Sequence, residues 1–287
     1  MTASGALGYV PALILNQLIR IRHCCNCWAS RGAAKGEQGY MHQSAMKHGK
    51  LFFDTYLSSG WKGGDLSPLE GERGRGRILD IGSLDVNGSL RQVAPAHFDY
   101  VGVDFESGNG VDVILEDPYH LPFGDGTFDA CISSSCFEHS EFFWLVFDEV
   151  MRILRPDGLF YLNAPSNGPF HRYPMDCWRF YPDSGHALVN WARRSGRRPA
   201  MLETFIGSRE RREPWYDFVA VFVQDEAFAE RHPRRMIDTL GRFFNGMRLG
   251  SDDVIRYSLL MEDRTVRSFL RRLERDLRMK RKERKKR

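Results

Sequence analysis

Short apolar segments alternate with helix-like segments through the middle of the chain. The apolar segments are Arg77–Ile81, Tyr100–Asp104, Val111–Leu115, Phe128–Ser133 and Leu159–Ala164. Between the last two, Phe143, Phe147, Val150 and Leu154 recur at the spacing of one helix face, which predicts an amphipathic helix over 141–154. This alternation is typical of an α/β domain with a parallel sheet.

Helical and glycine-rich sequence precedes this region. Apolar spacing predicts one helix near 11–22 and another near 43–57. Residues 60–76 are rich in glycine and charge, which is typical of a linker. We therefore assign residues 1–74 to a helical N-terminal cap and linker, and we expect its second helix to pack against the sheet.

The pattern after the apolar segments again favours helices. A first helix is predicted from the apolar face formed by Met236, Leu240, Phe243 and Met247. A second is predicted from residue 252 towards 279. The chain is thus divided into the cap, a central domain over 75–225, and a helical C-terminal extension with a basic tail over 226–287.

A strand, a glycine turn and a polar segment follow one another within Arg77–Arg91. Gly82 permits a turn that a side chain would forbid, and Asp80 ends the strand with an acceptor for a ligand ammonium or hydroxyl. The polar segment begins with three helix-capping residues, Asp85, Asn87 and Ser89. This order predicts a helix start whose free N–H groups face a ligand.

The residues after Gly82 limit which classes of ligand this turn is expected to bind. A dinucleotide fingerprint requires glycine two and five positions later, and this chain has Leu84 and Asn87 there. A nicotinamide-dependent oxidoreductase is therefore disfavoured. The stretch instead resembles the first motif of class I S-adenosylmethionine-dependent methyltransferases, in which an acidic residue and a glycine turn hold the methionine end of the cofactor.

Further motifs of the same family follow in the family's order over about 77–223. Asp104 ends the second segment, where a carboxylate meets ribose hydroxyls, and Asp117 begins a D-x-x-x-L-P-F arrangement resembling the adenine-side loop. Because Pro118 has no N–H, Tyr119 or His120 would supply the backbone contact to adenine. The resemblance implies these cofactor-binding residues: Asp80, Gly82, Ser83, Leu84, Asp104, Phe105, Asp117, Pro118 and Ser133.

The remaining motifs complete the resemblance to type 11-like methyltransferases. Phe128-Asp129, the pair Glu138-His139 and the turn Arg155-Pro156-Asp157-Gly158 stand where the family has similar residues. Leu202–Ile206 and Asp217–Val223 fit the antiparallel pair that closes the family's sheet. The resemblance implies a Rossmann-like, doubly wound, seven-stranded sheet with an antiparallel last strand, and S-adenosyl-L-methionine as cofactor.

The loop after the fifth segment has the composition of a substrate pocket, with histidine, aspartate and arginine between aromatic residues. It resembles the H-x-x-P-x-D-x-W-R-F segment of methyltransferases found with sugar and polysaccharide assembly enzymes. His171 is the first choice of general base, and His139, beside the substrate-side residue Glu138, is the competing choice. Asp176 would orient His171 or bind a hydroxyl, Trp178 would stack on a sugar, and Arg179 would pair with a substrate anion.

These residues predict O-methylation of a sugar, a polysaccharide precursor or a related small metabolite, without a metal. Nucleic acid is not the expected partner, since the Asn/Asp-Pro-Pro-aromatic run of amino-directed nucleobase enzymes is missing. The Pro-Cys pair that would make Cys136 a cytosine-directed nucleophile is missing as well. An RNA methyltransferase that uses the basic tail, and a non-catalytic protein that has kept the cofactor fold, are the alternatives.

The net charge of +4 hides an uneven distribution. Residues 264–287 carry 13 basic and 3 acidic side chains, a net +10, which leaves the rest of the chain at −6. A basic amphipathic helix of this kind is suited to docking on its own domain, on a second copy or on an anionic membrane. The sequence leaves these three partners open.

The cysteines and the apolar N-terminal stretch bear on the compartment. Six cysteines do not show the spacing of a disulfide framework, and the cluster His23, Cys24, Cys25 and Cys27 has no second cluster to complete a zinc site. The apolar stretch over 9–21 is too short to span a bilayer and has no charged region before it. We therefore expect a soluble, cytoplasmic protein.

Overall fold

The computed structural model of the protein describes residues 43–57, 75–86, 88–208 and 215–258. In this part of the chain eight strands form one sheet in the order β3-β2-β1-β4-β5-β7-β6-β8. The strands are β1 (Gly76–Ile81), β2 (Phe98–Asp104), β3 (Val113–Ile114), β4 (Phe128–Ser134), β5 (Leu154–Pro165), β6 (Ala200–Gly207), β7 (Asp217–Val223) and β8 (Phe243–Arg248). The helices are α1 (Gln43–Tyr56), α2 (Phe143–Ile153) and α3 (Pro182–Arg194).

The strand directions confirm the expected Rossmann-like, doubly wound sheet. Strands β1 to β5 pair in parallel, and β7 runs antiparallel between β5 and β6. The order changes direction between β1 and β4, and open α/β sheets form their ligand-binding crevice beside the carboxyl ends of the strands at such a switch point. The apolar segments read from the sequence therefore all lie in this sheet.

An eighth strand, β8, replaces part of the helix that the sequence predicts after residue 225. Instead of a helix through Phe243 and Met247, the chain forms two short 3-10 turns, over Glu226–Arg231 and Met236–Asp238, and then pairs with the edge of β6. The prediction was wrong because glycines at 241 and 246 weaken a helix, while β6 offers an edge with unpaired backbone groups.

The helix predicted directly after the glycine turn is also missing. Only a 3-10 turn forms, at Leu90–Val93, and the Ser89 hydroxyl caps it by accepting from the Arg91 N–H at 3.1 Å. Pro95 stops the turn, because the residue before a proline is held in an extended conformation, as Ala94 is here. No helix N-terminus therefore faces the crevice at this point.

Several sequence predictions fall on residues outside the described part. They are the helix near 11–22, the cysteines at 24, 25 and 27, and the basic tail over 264–287. The start of the second C-terminal helix, over 252–258, is irregular rather than helical, and its remainder lies outside as well. The domain boundaries at 75 and 225 stay a prediction. Among the described helices, none has both the length and the apolar character needed to cross a membrane.

Alternating residues of the central strands separate the core into two layers. On one face Phe160 of β5 packs against Phe147 of α2, with ring centroids 5.9 Å apart. On the other face the next residue, Tyr161, stacks on Phe52 of α1 at 4.9 Å. The predicted packing of the second N-terminal helix against the sheet is therefore confirmed.

A buried carboxylate joins α1 to the far side of the sheet. The Tyr56 hydroxyl donates to the Glu203 carboxylate of β6 at 2.6 Å, and the same carboxylate accepts from the N–H groups of Met236 and Ile237. A second buried pair links His48 Nδ1 to Asp217 Oδ2 at 2.9 Å. Buried polar groups must be paired to be tolerated, so these contacts fix where α1 sits.

We expect Tyr56→Phe to lower the free energy of unfolding by about 1–3 kcal/mol, because Glu203 then loses a donor while it stays buried. Urea unfolding followed by circular dichroism measures this. The matched control is Tyr257→Phe, since Tyr257 is 66% exposed. If the two variants lost equal stability, the buried hydrogen bond would not hold α1.

Candidate active site

The ends of four parallel strands place the predicted site residues along one edge of the sheet. Asp80 lies one residue before the end of β1, Asp104 ends β2, Ser133 lies near the end of β4, and the loop with His171 follows β5. The carboxyl ends of parallel strands meet at the same edge. The structure thus brings the two predicted halves of the site, for cofactor and for substrate, to neighbouring positions.

Asp80 forms the floor of the cofactor side. Its carboxylate is 5% exposed and accepts from the Tyr100 hydroxyl at 2.6 Å. Burial raises the pKa of Asp80 to about 6, while the hydrogen bond from Tyr100 and the charge of Arg91 act in the opposite direction. Tyr100 was not singled out from the sequence; its signal was its place on the strand next to Asp80.

Gly82 makes a turn that allows the chain after β1 to touch the chain after β4. Its φ is +79°, and a Cβ at this position would lie 2.7 Å from the Cys136 Sγ. The N–H groups of Gly82 and Ser83 both donate to the Val103 carbonyl, at 3.0 and 3.1 Å. The expectation that this turn aims free N–H groups at a ligand is therefore wrong, because without the following helix the turn closes onto β2.

Ser83 and Leu84 continue this turn in different ways. The Ser83 hydroxyl is buried and has no hydrogen-bond partner among the described residues. The Leu84 N–H donates to Asp104 Oδ2 at 3.3 Å. The N–H groups of Gly82, Ser83 and Leu84 are therefore all engaged within the protein, and the Ser83 hydroxyl is a buried polar group without a described partner.

Asp104, the carboxylate that the sequence predicts to bind ribose, ends β2. Its two oxygens accept from the N–H groups of Leu84 and Glu106, and burial raises its pKa. Each carboxylate oxygen can accept a second hydrogen bond, so both remain available to hydroxyls. Phe105, beside it, is 42% exposed and offers an aromatic surface at the crevice mouth.

The predicted adenine loop is folded on itself. Exposed Asp117 accepts from the Tyr119 N–H at 2.8 Å with its side chain, and from the His120 N–H at 3.2 Å with its carbonyl. Both N–H groups expected to contact adenine are thus occupied, and Pro118 has none. Only the second oxygen of Asp117 remains as the adenine-side group that the sequence predicts.

Ser133 is directed into the sheet rather than into the crevice. It is fully buried, and its hydroxyl donates to the Ile81 carbonyl at 3.0 Å. Ser135, two residues later, has φ +54°, a left-handed conformation that is costly for a residue with a side chain. This bend leads the chain from β4 into the turn that carries Glu138 and His139.

Asp176 organises the substrate loop. Its carboxylate accepts two hydrogen bonds from the Arg179 guanidinium and one from the His171 backbone N–H at 2.7 Å. Burial alone would raise the pKa of Asp176, but these donors lower it to about 2. Since Arg179 also donates to the Pro169 carbonyl at 3.0 Å, the pair braces the loop, and neither residue presents a free charge to a substrate.

Two histidines and a buried glutamate meet inside this loop. The His139 and His171 rings lie edge to face with centroids 4.9 Å apart, and His139 Nε2 is 3.7 Å from Glu138 Oε1. Burial raises the pKa of Glu138 to about 8 and lowers the pKa of His139. At neutral pH the site therefore contains a neutral imidazole beside a carboxyl group that is largely protonated.

Two tryptophans belong to this region, and one of them packs against His171. Trp178 donates from Nε1 to the Ser140 carbonyl at 2.8 Å and keeps 37% of its surface exposed. Trp215, which sequence reasoning missed, packs edge-on against His171 at 4.7 Å and lies under Gly168, where a Cβ would come within 2.2 Å of it. The position of Trp215 in the sequence could have indicated this, because it lies just before β7, and the first residue of β7 pairs with the last residue of β5.

Comparison with known proteins finds similarity to methyltransferases. Residues 65–162 match the family model described as a methyltransferase domain. A protein of Mycolicibacterium gilvum described as an uncharacterized methyltransferase is 32% identical over 132 residues, which is 40% of this chain and 51% of that protein. A protein of Mycobacterium avium with the same description is 30% identical over 172 residues, which is 54% of this chain and 64% of that protein.

Among solved structures, a 1,6-didemethyltoxoflavin-N1-methyltransferase of Burkholderia thailandensis aligns with 78% of this chain and 94% of its own. It was solved with 1,6-didemethyltoxoflavin and S-adenosylhomocysteine bound, and it shares 13% identity with a TM-score of 0.46. The chain spans about half to two thirds of the length of the two mycobacterial relatives.

We expect Gly82→Ala to destabilise the protein more than Gly196→Ala, by at least about 1 kcal/mol. Both glycines have nearly the same φ, +79° and +84°, so both variants carry the left-handed strain of about 1–2 kcal/mol. Only at Gly82 does the new methyl group also meet Cys136, because nothing lies within 4 Å of a Cβ at Gly196. Equal losses in urea unfolding would show that the close approach to Cys136 is not tight.

Proposed function

We propose that this chain, whose residues 65–162 match a methyltransferase domain, transfers the methyl group of S-adenosylmethionine to a hydroxyl oxygen of a sugar, a polysaccharide precursor or a related small metabolite. The observation that carries the proposal is the meeting of two groups of residues at one sheet edge. A crevice floored by Asp80 and flanked by Asp104 adjoins a loop with paired histidines and exposed aromatic rings.

The cofactor side fits a ligand with a cationic amino-acid end and a nucleoside. Asp80 would accept from the ammonium group, since one of its oxygens already accepts from Tyr100 and the other is left for a ligand. Asp104 would accept from the ribose hydroxyls and Asp117 from the adenine amino group. The unpaired Ser83 hydroxyl is one further polar group in this turn. The cofactor supplies a methyl group on a sulfonium, which is already reactive towards an oxygen nucleophile.

The histidine pair would hold the proton of the acceptor hydroxyl. The His139 ring is fixed because its Nδ1 bonds the Met175 carbonyl, which leaves Nε2 as an acceptor directed towards Glu138. His171 is placed nearer to solvent, with 35% of its side chain exposed. We assign the general base to His171: the acceptor oxygen forms a bond to the methyl carbon, its proton passes to His171, and the sulfur leaves as a neutral thioether.

The choice of a sugar-like acceptor rests on the exposed aromatic residues of this loop. Phe170, Tyr173 and Trp178 are 75%, 44% and 37% exposed. Aromatic faces next to hydrogen-bonding groups are suited to the apolar face and the hydroxyls of a sugar ring. Arg179 is bound to Asp176 and does not offer a free positive charge to a substrate. The proposal therefore does not use Arg179 to bind an anionic acceptor.

We expect the affinity for S-adenosylhomocysteine to weaken as the pH falls below about 6. Protonation removes the negative charge of Asp80 that attracts the ligand ammonium, and the loss approaches tenfold per pH unit. The charged or titratable groups facing Asp80 are Tyr100, Arg91, Asp104 and the Cys136 thiol. Calorimetry between about pH 5 and about pH 7 measures the effect.

Two variants test the assignment to Asp80. Tyr100→Phe removes a hydrogen bond that lowers the pKa of Asp80, so the weakening should begin at higher pH. Asp80→Asn should bind weakly at every pH, and any slope that remains belongs to Asp104. An unchanged slope in Asp80→Asn would remove Asp80 from the ammonium site.

We expect His171→Ala to reduce methyl transfer by about 10²–10⁴-fold while the affinity for S-adenosylhomocysteine stays unchanged. The assay uses methyl-labelled S-adenosylmethionine with a panel of nucleotide sugars, lipids and RNA. His186→Ala on α3 is the matched control, because this histidine is exposed and lies on another element. Near-normal turnover by His171→Ala together with collapse in His139→Ala would move the base to His139. Transfer to RNA alone would overturn the sugar assignment.

A further inference from the structure

Glu138, His139 and His171 converge although they come from two different loops. One potential ligand atom of each lies within 4.8 Å of the others. We propose that these three side chains bind a divalent transition-metal ion of the zinc type. The binding site does not depend on which acceptor the protein methylates, and it goes beyond the assignment of the histidines as bases.

Glu138 is the first observation that points to a ligand. Its side chain is 1% exposed, and its Oε2 has no hydrogen-bond partner among the described residues. A buried carboxyl group without partners is unfavourable, and buried charges are normally paired or bound to a metal. A cation at this position would satisfy the oxygen that the protein leaves unpaired, and it would favour the ionised form.

His139 has the arrangement of a metal-binding histidine. Metal-bound imidazoles usually donate their other ring N–H to a carbonyl or carboxylate, which fixes the tautomer and the ring orientation. The Nδ1 of His139 bonds the Met175 carbonyl in this way. Its Nε2 lone pair is thereby directed to the side where Glu138 Oε1 lies, 3.7 Å away.

His171 is held in place by groups that a metal would not displace. Its backbone N–H donates to Asp176, which Arg179 fixes in turn, and its ring lies between His139 and Trp215. Its Nδ1 is buried and has no hydrogen bond in this arrangement, although Asp176 Oδ2 lies 3.4 Å away. The ring is therefore held in place by its neighbours, while its Nδ1 makes no hydrogen bond to the described residues.

The distances and the ligand types decide the class of ion. Tetrahedral zinc with bonds of about 2.0–2.1 Å separates its ligand atoms by roughly 3.4 Å. The 3.7 Å between Glu138 and His139 is already close to this, and the site has to contract by about 1 Å elsewhere. Two imidazoles and one carboxylate suit Zn²⁺ or Fe²⁺, whereas Mg²⁺ prefers oxygen ligands.

The remaining coordination position would face the acceptor. Glu138 lies at the bottom of the cluster, and His171 lies at its half-exposed rim, so the open side is the side from which a substrate enters. A nitrogen that binds an ion cannot accept a proton at the same time. The ion and the acceptor's proton would therefore compete for the same pair of histidines.

The test measures the binding of Zn²⁺ alone by the full-length protein, after removal of any affinity tag, in competition with a chromophoric chelator. We expect one equivalent to bind, and the affinity to fall by about tenfold or more in His139→Ala, His171→Ala and Glu138→Gln. His186→Ala is the matched control and should bind as the parent protein does. Circular dichroism shows whether each variant is folded.

The outcomes separate this site from others. Glu138 is buried, so Glu138→Gln is the variant whose folding is most at risk. His171 lies in a partly exposed loop, so His171→Ala tests the site even if Glu138→Gln does not fold. Zinc binding that is unchanged in His139→Ala and His171→Ala would overturn the proposal, as would the absence of binding by the parent protein. Binding lost only when Cys24, Cys25 and Cys27 are replaced by serine would assign the ion to the N-terminal thiols and would also overturn it.

Discussion

The close approach of Gly82 to Cys136 is the constraint on which the whole site depends. One residue belongs to the turn after β1 and the other to the segment after β4, and no side chain larger than hydrogen fits between them. Because these segments touch, the floor of the cofactor crevice and the turn with Glu138 and His139 are neighbours. In the proposed reaction, this contact keeps the cofactor side and the acceptor side of the site next to each other, as an in-line transfer requires.

The site is built from carboxyl groups whose pKa values are set apart by their surroundings. Burial raises the pKa of Asp80 to about 6 and the pKa of Glu138 to about 8. The Arg179 guanidinium, by contrast, holds the pKa of Asp176 at about 2. Carboxyl groups in one region of the molecule thus differ widely in how readily they lose a proton. Perturbed pKa values of this kind cluster at functional sites.

Much of the sheet was predictable because its strands are buried on both faces and appear as short apolar runs. The strand β7 was predicted with its observed ends, and β1, β2 and β4 within one or two residues. The strand β8 was not predictable, because its apolar spacing is equally compatible with a helix and its partner is an edge distant in the sequence.

The site was predictable in its residues but not in their pairing. Motif order located Asp80, Asp104 and the loop of His171, since each lies at or after the end of a recognisable strand. The N–H groups of the turn at Gly82 donate to the Val103 carbonyl. This contact joins residues about 20 positions apart, and no motif in the sequence indicates it. The convergence of His171 with Glu138 and His139 likewise depends on two loops that no spacing in the sequence connects.

The anchoring of α1 has a consequence for how the chain acquires its structure during synthesis. Tyr56 leaves the ribosome early, yet its partner Glu203 belongs to β6, and the N–H groups that complete this cluster come from Met236 and Ile237. The hydrogen bonds that hold the first described helix are therefore complete only when the chain extends past Ile237, that is, after β7. A fragment cut at residue 75 or at residue 225 would lose part of this cluster, so the stability of the sheet is coupled to the helix Gln43–Tyr56 and to the turn Met236–Asp238.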